Sequence, residues 1–209
     1  MPDSRQFMLG RSLAAAAIVM IVSGVASAQT VGVSVAFDMH RFSGEPGTSV
    51  LDATVTGVTV HASAPVAPKM SVAFEAAFEP STTMTATTDL TQGTVQTDHK
   101  SQMRTVSVLA VVHPLERERV RASVLGGMSF VRFERTITIH PTAAVGGSNA
   151  ESTSTFVDLT GTAIVGGELD FLVSPHVAIT PAIRVLALRL ASDLSGFSIR
   201  PTIGIKWVF

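Results

Sequence analysis

Apolar residues recur at every second position along most of this chain, nowhere more regularly than at its end. In residues 197–209, FSIRPTIGIKWVF, one row holds Phe197, Ile199, Pro201, Ile203, Ile205, Trp207 and Phe209. The alternate row holds Ser198, Arg200, Thr202, Gly204, Lys206 and Val208. Successive side chains of a β-strand point to opposite faces, so this stretch is a strand with an apolar face and a mostly polar one.

The same period predicts seven earlier strands, over residues 31–42, about 50–62, 69–79, 102–113, 119 to about 139, about 156–173, and 176–190. Connections after the second, fourth and sixth are short. Those after the third and fifth, residues 80–101 and 140–155, are long and rich in threonine and serine. The first of these reads as an extended loop or as strand tops, the second as a loop. In the second strand Val55 falls in one row and Val58 and Val60 in the other, which predicts a bulge near Gly57. A similar slip, where Phe133, Ile137 and Ile139 leave the row of Met128 and Phe130, predicts another around Phe130 and Val131. Pro181 and Pro201 each remove a ladder donor, and a local bulge is expected at both.

Residues 1–28 read as a secretory signal peptide. Arg5 and Arg11 precede a short apolar core, and Ala26-Ser27-Ala28 offers a small-residue cleavage site before Gln29. That leaves residues 29–209 as one domain. The chain has no cysteine, which excludes a lipoprotein anchor and a disulfide framework. A net charge of −1 without a basic surplus gives nucleic-acid binding nothing to rest on. The mean hydropathy is high, +0.40, yet after residue 28 no apolar run reaches the ~20 residues of a spanning helix.

High hydropathy spread over alternate positions is the signature of a β-sheet that crosses a membrane. Lipid leaves no water for an open sheet edge, so such a sheet closes on itself. The polar rows fit this, being made of glycine, alanine, serine and threonine with isolated charges. Small side chains with a few paired charges suit the narrow interior of an eight-stranded barrel. The expected fold is therefore all-β: a closed, antiparallel, eight-stranded transmembrane barrel, monomeric, in contact with outer-membrane lipid. Arg41 and Arg189 are the expected outward charges, both at strand ends near the outer rim.

The signal peptide, the eight alternating segments and the terminal IKWVF resemble the small outer-membrane β-barrel proteins of the OmpA, OmpX and OmpW type. Residues 166–184, from GGELDFLVSPH to Arg184, are similar to the hairpin before the last strand in that group. The resemblance implies a bacterial outer-membrane location. It also implies recognition of the final strand by the barrel-assembly machinery, through Ile203, Ile205, Trp207 and Phe209. The chain departs from the group in having one tryptophan and no tyrosine. Phe37, Phe78, Phe130, Phe171 and Phe197 are the candidates for its aromatic girdles.

The strongest candidate site is a lumen charge network of Asp38, Glu75, Arg121, Glu168, Asp170, Arg184, Arg200 and Lys206. It reads as a structural plug, with a gated path for ions or small solutes as the alternative. An enzyme needs a nucleophile and a base; His40 beside Asp38 is the suggestive pair, a membrane-embedded lipid-modifying enzyme the less favoured reading, and no catalytic residue or cofactor is assigned. Asp98-His99 lacks companion ligands at metal-binding spacing, so no metal is assigned. The two long outer segments remain as the place for a surface ligand, since functional residues concentrate on loops held by a rigid scaffold.

Overall fold

The computed structural model describes residues 29–43, 53–90, 93–141, 151–190 and 194–209. The expected signal peptide, with Ala26 and Ala28, lies outside them. The strands are β1 (Thr30–Ser43), β2 (Ala53–Ala67), β3 (Met70–Phe78), β4 (Thr82–Leu90), β5 (Gly93–Arg117), β6 (Val120–Pro141), β7 (Ser152–Ser174), β8 (Val177–Leu190) and β9 (Leu194–Val208). All pairings are antiparallel. The order β3-β2-β1-β9-β8-β7-β6-β5 closes through a β3–β5 ladder, giving a ring of eight strands. β4 continues β3 upward along β5, past a break at Glu79 to Ser81.

The start of β1 at Thr30, the end of β9 at Val208 and the tight turns at 68–69, 118–119 and 175–176 lie at one end of the ring. At the other end β4, β5, β6 and β7 run on beyond their neighbours as a four-stranded sheet. Of residues 80–101, 82–90 and 93–101 thus form strand tops, the paired parts of β4 and β5. Of the segment read as a loop over 140–155, residues 140–141 belong instead to β6 and residues 152–155 to β7. Both rows are polar there, so no lipid-facing stripe marks the strands in sequence.

Outward rows are apolar at the level of the ring. Val33, Val35, Phe37, Val108, Val124, Met128, Val165, Ile183, Ile203 and Ile205 are all exposed on its outer wall. An apolar belt of this extent belongs in lipid. The phenylalanines expected for girdles, Phe37, Phe78, Phe130, Phe171 and Phe197, all face outward and are exposed, as is Trp207.

Two expected bulges are absent. Gly57 sits in an unbroken β1–β2 ladder opposite Ala36, and Phe130 in an unbroken stretch of β5–β6 opposite Val106. The rows slip because Val55, Val131 and Phe133 point inward and are buried. Val131 and Phe133 join Phe42, Met103, Leu109, Leu125, Ile164, Leu186 and Leu188 in an apolar cluster inside the barrel. The irregularities fall instead near the turns, between Pro65 and Ala67, Val112 and Leu115, and Leu172 and Ser174. The prolines also cause no bulge. The β7–β8 ladder opens beside Pro181 and the β1–β9 ladder beside Pro201, yet the register is the same on both sides of each gap. With no N–H to donate, each proline leaves a gap rather than a shift.

Glycines admit the strands to close approach at several points, Gly127 and Gly166 among them. A Cβ on Gly127 would collide with the Val108 carbonyl, and one on Gly166 with the Ile183 carbonyl.

Candidate functional site: the barrel interior and the outer sheet

Even-numbered residues of β1, β7, β8 and β9 and odd-numbered ones of β2, β3, β5 and β6 point into the barrel, so parity alone selects the interior set. Seven of the eight candidate charges fall into two ion-paired clusters at different heights.

The lower cluster, nearer the tight turns, is built on Glu168. Arg184 donates from Nε to Glu75 at 3.1 Å and from its other arm to Glu168 at 3.0 Å. Lys206 bonds Glu168 and, at 2.9 Å, Asp170. Asp170 also accepts from the Thr180 hydroxyl at 2.6 Å. Two cations thus meet three carboxylates, and each of these side chains is less than a tenth exposed. Arg121 is not in this cluster. It pairs with Glu116 at 2.8 Å toward the turn. Between Arg121 and the cluster lies a cavity of about 40 Å³, lined by His61, Ser71, His113 and Lys206 among others, room for roughly three waters.

The upper cluster is built on Arg200, which is fully buried. Its guanidinium donates to Asp38, to Glu79 at 3.2 Å and to the Thr105 hydroxyl at 3.1 Å. Ser198 donates to Asp38 at 3.4 Å. Glu79 and His40 are members that the candidate list lacked; His40 Nε2 lies 2.8 Å from Glu79 Oε2. Glu79 could have been found by parity, since it continues the inward row Glu75, Ala77. The polar stretch and Pro80 that follow it hid the signal. Ligand atoms of Asp38, His40 and Glu79 lie within 4.8 Å of one another, but the Arg200 guanidinium already occupies the space between the two carboxylates.

Neither cluster forms a nucleophile–base pair of the expected kind. His40 faces Glu79 rather than a serine. His113, unremarked in sequence, contacts Ser123 at 2.8 Å through Nδ1 and Ser71 at 3.1 Å through Nε2. With both ring nitrogens taken by serines, no carboxylate orients the ring as a catalytic base requires.

The outer sheet has polar ties of its own. Asp98 accepts from Thr85 at 2.7 Å and lies 3.2 Å from His140, whose other nitrogen lies 3.5 Å from Glu151. The Thr85 hydroxyl above all, then Gln96 and His140, holds the Asp98 carboxyl below its usual range. His99, the neighbour named with Asp98 in sequence, is held below the usual imidazole range by burial and by Arg135. Thr136 meets Thr155 and Thr138 meets Thr153 across β6–β7, and Arg135 stacks over Phe156 at 5.2 Å.

The outer wall carries more charge at the sheet's base than sequence indicated. Besides Arg41 and Arg189, the absence of a bulge at Phe130 turns Arg132 and Glu134 outward, and Arg104 shares their face.

No family model matches the sequence, and no curated protein matches it. Solved structures do. Neisserial surface protein A (NspA) superposes with a TM-score of 0.52 at 15% identity, over 86% of this chain and 96% of that one. The attachment invasion locus protein Ail of Yersinia pestis, in complex with the heparin analogue sucrose octasulfate, superposes with a TM-score of 0.52 at 16% identity, over 86% and 98%. The chain has the fold of the small outer-membrane β-barrel proteins.

Proposed function

We propose that the chain is an integral protein of the bacterial outer membrane, a sealed barrel that acts through the sheet it raises outside the cell. The tight turns then face the periplasm, and the lumen clusters serve as a structural plug. Its role is structural and surface-interacting.

The open edge of β7 carries this reading. From Ser152 to Ala163 it bonds β6 on one side, while its ladder with β8 begins at Ile164 among the described residues. A row of unpaired backbone donors and acceptors is a template for an added strand. Proteins blunt such edges with lysine, proline or a bulge. STSTFVDLTGTA has no lysine and no proline, and its pairing with β6 has no register shift. The partner it fits is an extended, weakly charged polypeptide segment.

The outward row of β9, Ile203, Ile205, Trp207 and Phe209, fits a signal for the barrel-assembly machinery. Catalysis has no place in the proposal, given the settings of His40 and His113. The lower cavity favours one second reading, a narrow channel for ions or small solutes.

Two measurements test the proposal. A capped ten-residue peptide of alternating threonine and valine, added to the folded protein in nanodiscs, is expected to slow amide exchange along Ser152–Ala163. Unchanged exchange there, or equal protection in a Val157→Lys variant, sinks the edge. In planar bilayers the wild type is expected to be silent; steady unitary currents overturn the sealed barrel in favour of the channel.

A further inference from the structure

Arg104 and Arg132 are direct partners in the β5–β6 ladder. Both lie on the outward face, in the rows of Val108 and of Met128 and Phe130. Cross-strand partners bring their Cβ atoms to about 5 Å, and like charges there repel. The surroundings do not cancel this. Arg132 pairs with Glu134 at 3.0 Å, but Arg104 reaches only the neutral Gln102, also at 3.0 Å. Lys100 follows on the same face of β5, so the patch is cationic.

We infer that Arg104 and Arg132 clamp the phosphate group of an outer-leaflet lipid. A phosphate between two guanidinium forks turns a repulsive pair into two charge-assisted, bidentate contacts. The position commits the site to a lipid rather than to free phosphate. Directly below the pair, Val106 faces Phe130; Phe78 is the partner of Arg104 and Leu159 of Arg132. Phe78, Phe130 and Leu159 are among the exposed apolar residues of the outer wall. From Pro114 to Arg104 the strand climbs roughly 25 Å, at ~3.3 Å per residue and ~40° tilt, about the height of a barrel's apolar band. The guanidinium groups therefore stand where acyl chains end and headgroups begin. Arg189 is different: it faces Ser195 across β8–β9, with no cation opposite.

The inference rests on the outer-membrane reading above, and its test separates the two. The full mature chain, an Arg104→Gln/Arg132→Gln variant and an Arg189→Gln control are folded in neutral detergent and checked for the heat-dependent gel shift of a barrel. A wild type without that shift removes the outer-membrane reading, and the clamp with it. Folded proteins are titrated with bisphosphorylated lipid A and with its dephosphorylated form, lipid retention being read by native mass spectrometry. The wild type and Arg189→Gln are expected to retain the phosphorylated lipid at least about tenfold better, and the double variant to retain both equally. No discrimination by the wild type, or discrimination kept by the double variant, overturns the clamp. Complete displacement by millimolar inorganic phosphate overturns the lipid source. In phosphate-free detergent the double variant is expected to melt no lower than wild type, because a repulsive pair is gone. A lower melting temperature assigns the arginines a structural role instead.

Discussion

Arg200 and Asp38 bond side chain to side chain at a level where the backbones of β9 and β1 do not pair. The ladder runs to Ala36–Thr202 on one side and resumes at Met39–Ile199 on the other, with Pro201 beside the gap. The buried ion pair thus joins two strands where the proline has removed a donor. Arg200 holds Glu79 as well, so its loss takes the guanidinium from two buried carboxylates, whereas loss of Asp38 leaves Arg200 with Glu79 and the Thr105 hydroxyl. Breaking a buried pair costs about 3–5 kcal/mol, mostly for the charge left behind. Arg200→Met is therefore expected to destabilise the barrel by that amount or more, Asp38→Ala by less. The Asp38→Ala/Arg200→Met double variant should lose less than the sum. Urea unfolding in detergent, followed by Trp207 fluorescence, measures all three.

Parity was legible in sequence wherever the outward row is apolar and the inward row polar. β1, β3, β7 and β9 are of this kind, and so are their interior charges. It failed where the interior is apolar. Val55, Val131 and Phe133 fill the barrel from inside, and in a one-dimensional pattern an inward apolar residue is indistinguishable from a shifted outward one. The error propagated to the surface, because a bulge at Phe130 would have hidden Arg132 and Glu134 inside. Above the apolar belt neither row needs to be apolar, so β4 and the tops of β5 and β7 have no stripe to show. Which charges pair was not legible, because pairing depends on height as well as face: Arg121 shares a face with the network but sits too near the turn to reach it.

Two pairs of adjacent glycines, Gly126-Gly127 and Gly166-Gly167, each hold one crowded and one uncrowded member. Gly126 and Gly167 have 3.8 Å and 3.5 Å to the nearest atom that a Cβ would meet, ordinary contact distances. Gly127 and Gly166 would drive a Cβ into a neighbouring backbone. Gly127→Ala and Gly166→Ala are expected to cost about 1–3 kcal/mol by overpacking, and Gly126→Ala and Gly167→Ala well under 1. Midpoints of the heat-dependent gel shift rank the four.

Phe209 is 74% exposed, so truncating it removes little packing. If the end of β9 is an assembly signal, Phe209→Ala separates two quantities that usually move together. Urea-refolded Phe209→Ala protein is expected to match wild type in stability, while the folded fraction recovered from outer membranes of living cells falls several-fold. Equal yields in cells would remove the signal role from this residue.

Asp98 ties β4 to β6 in the outer sheet through Thr85 and His140. Its carboxyl titrates below the ordinary 3.8 because those bonds favour the ionised form. A depressed carboxylate contributes stability that is fully present above the unfolded value and is lost as pH falls through the folded one. The tie is therefore intact at neutral pH and in mild acid, and weakens only below 3.8. Amide exchange of Thr82–Thr87, read by NMR at stepwise lower pH and corrected for intrinsic rates, is expected to stay protected at pH 5 and to lose protection below that limit. Asp98→Asn should remove the pH step and leave protection low throughout. A step centred near neutral pH would overturn the assignment to Asp98.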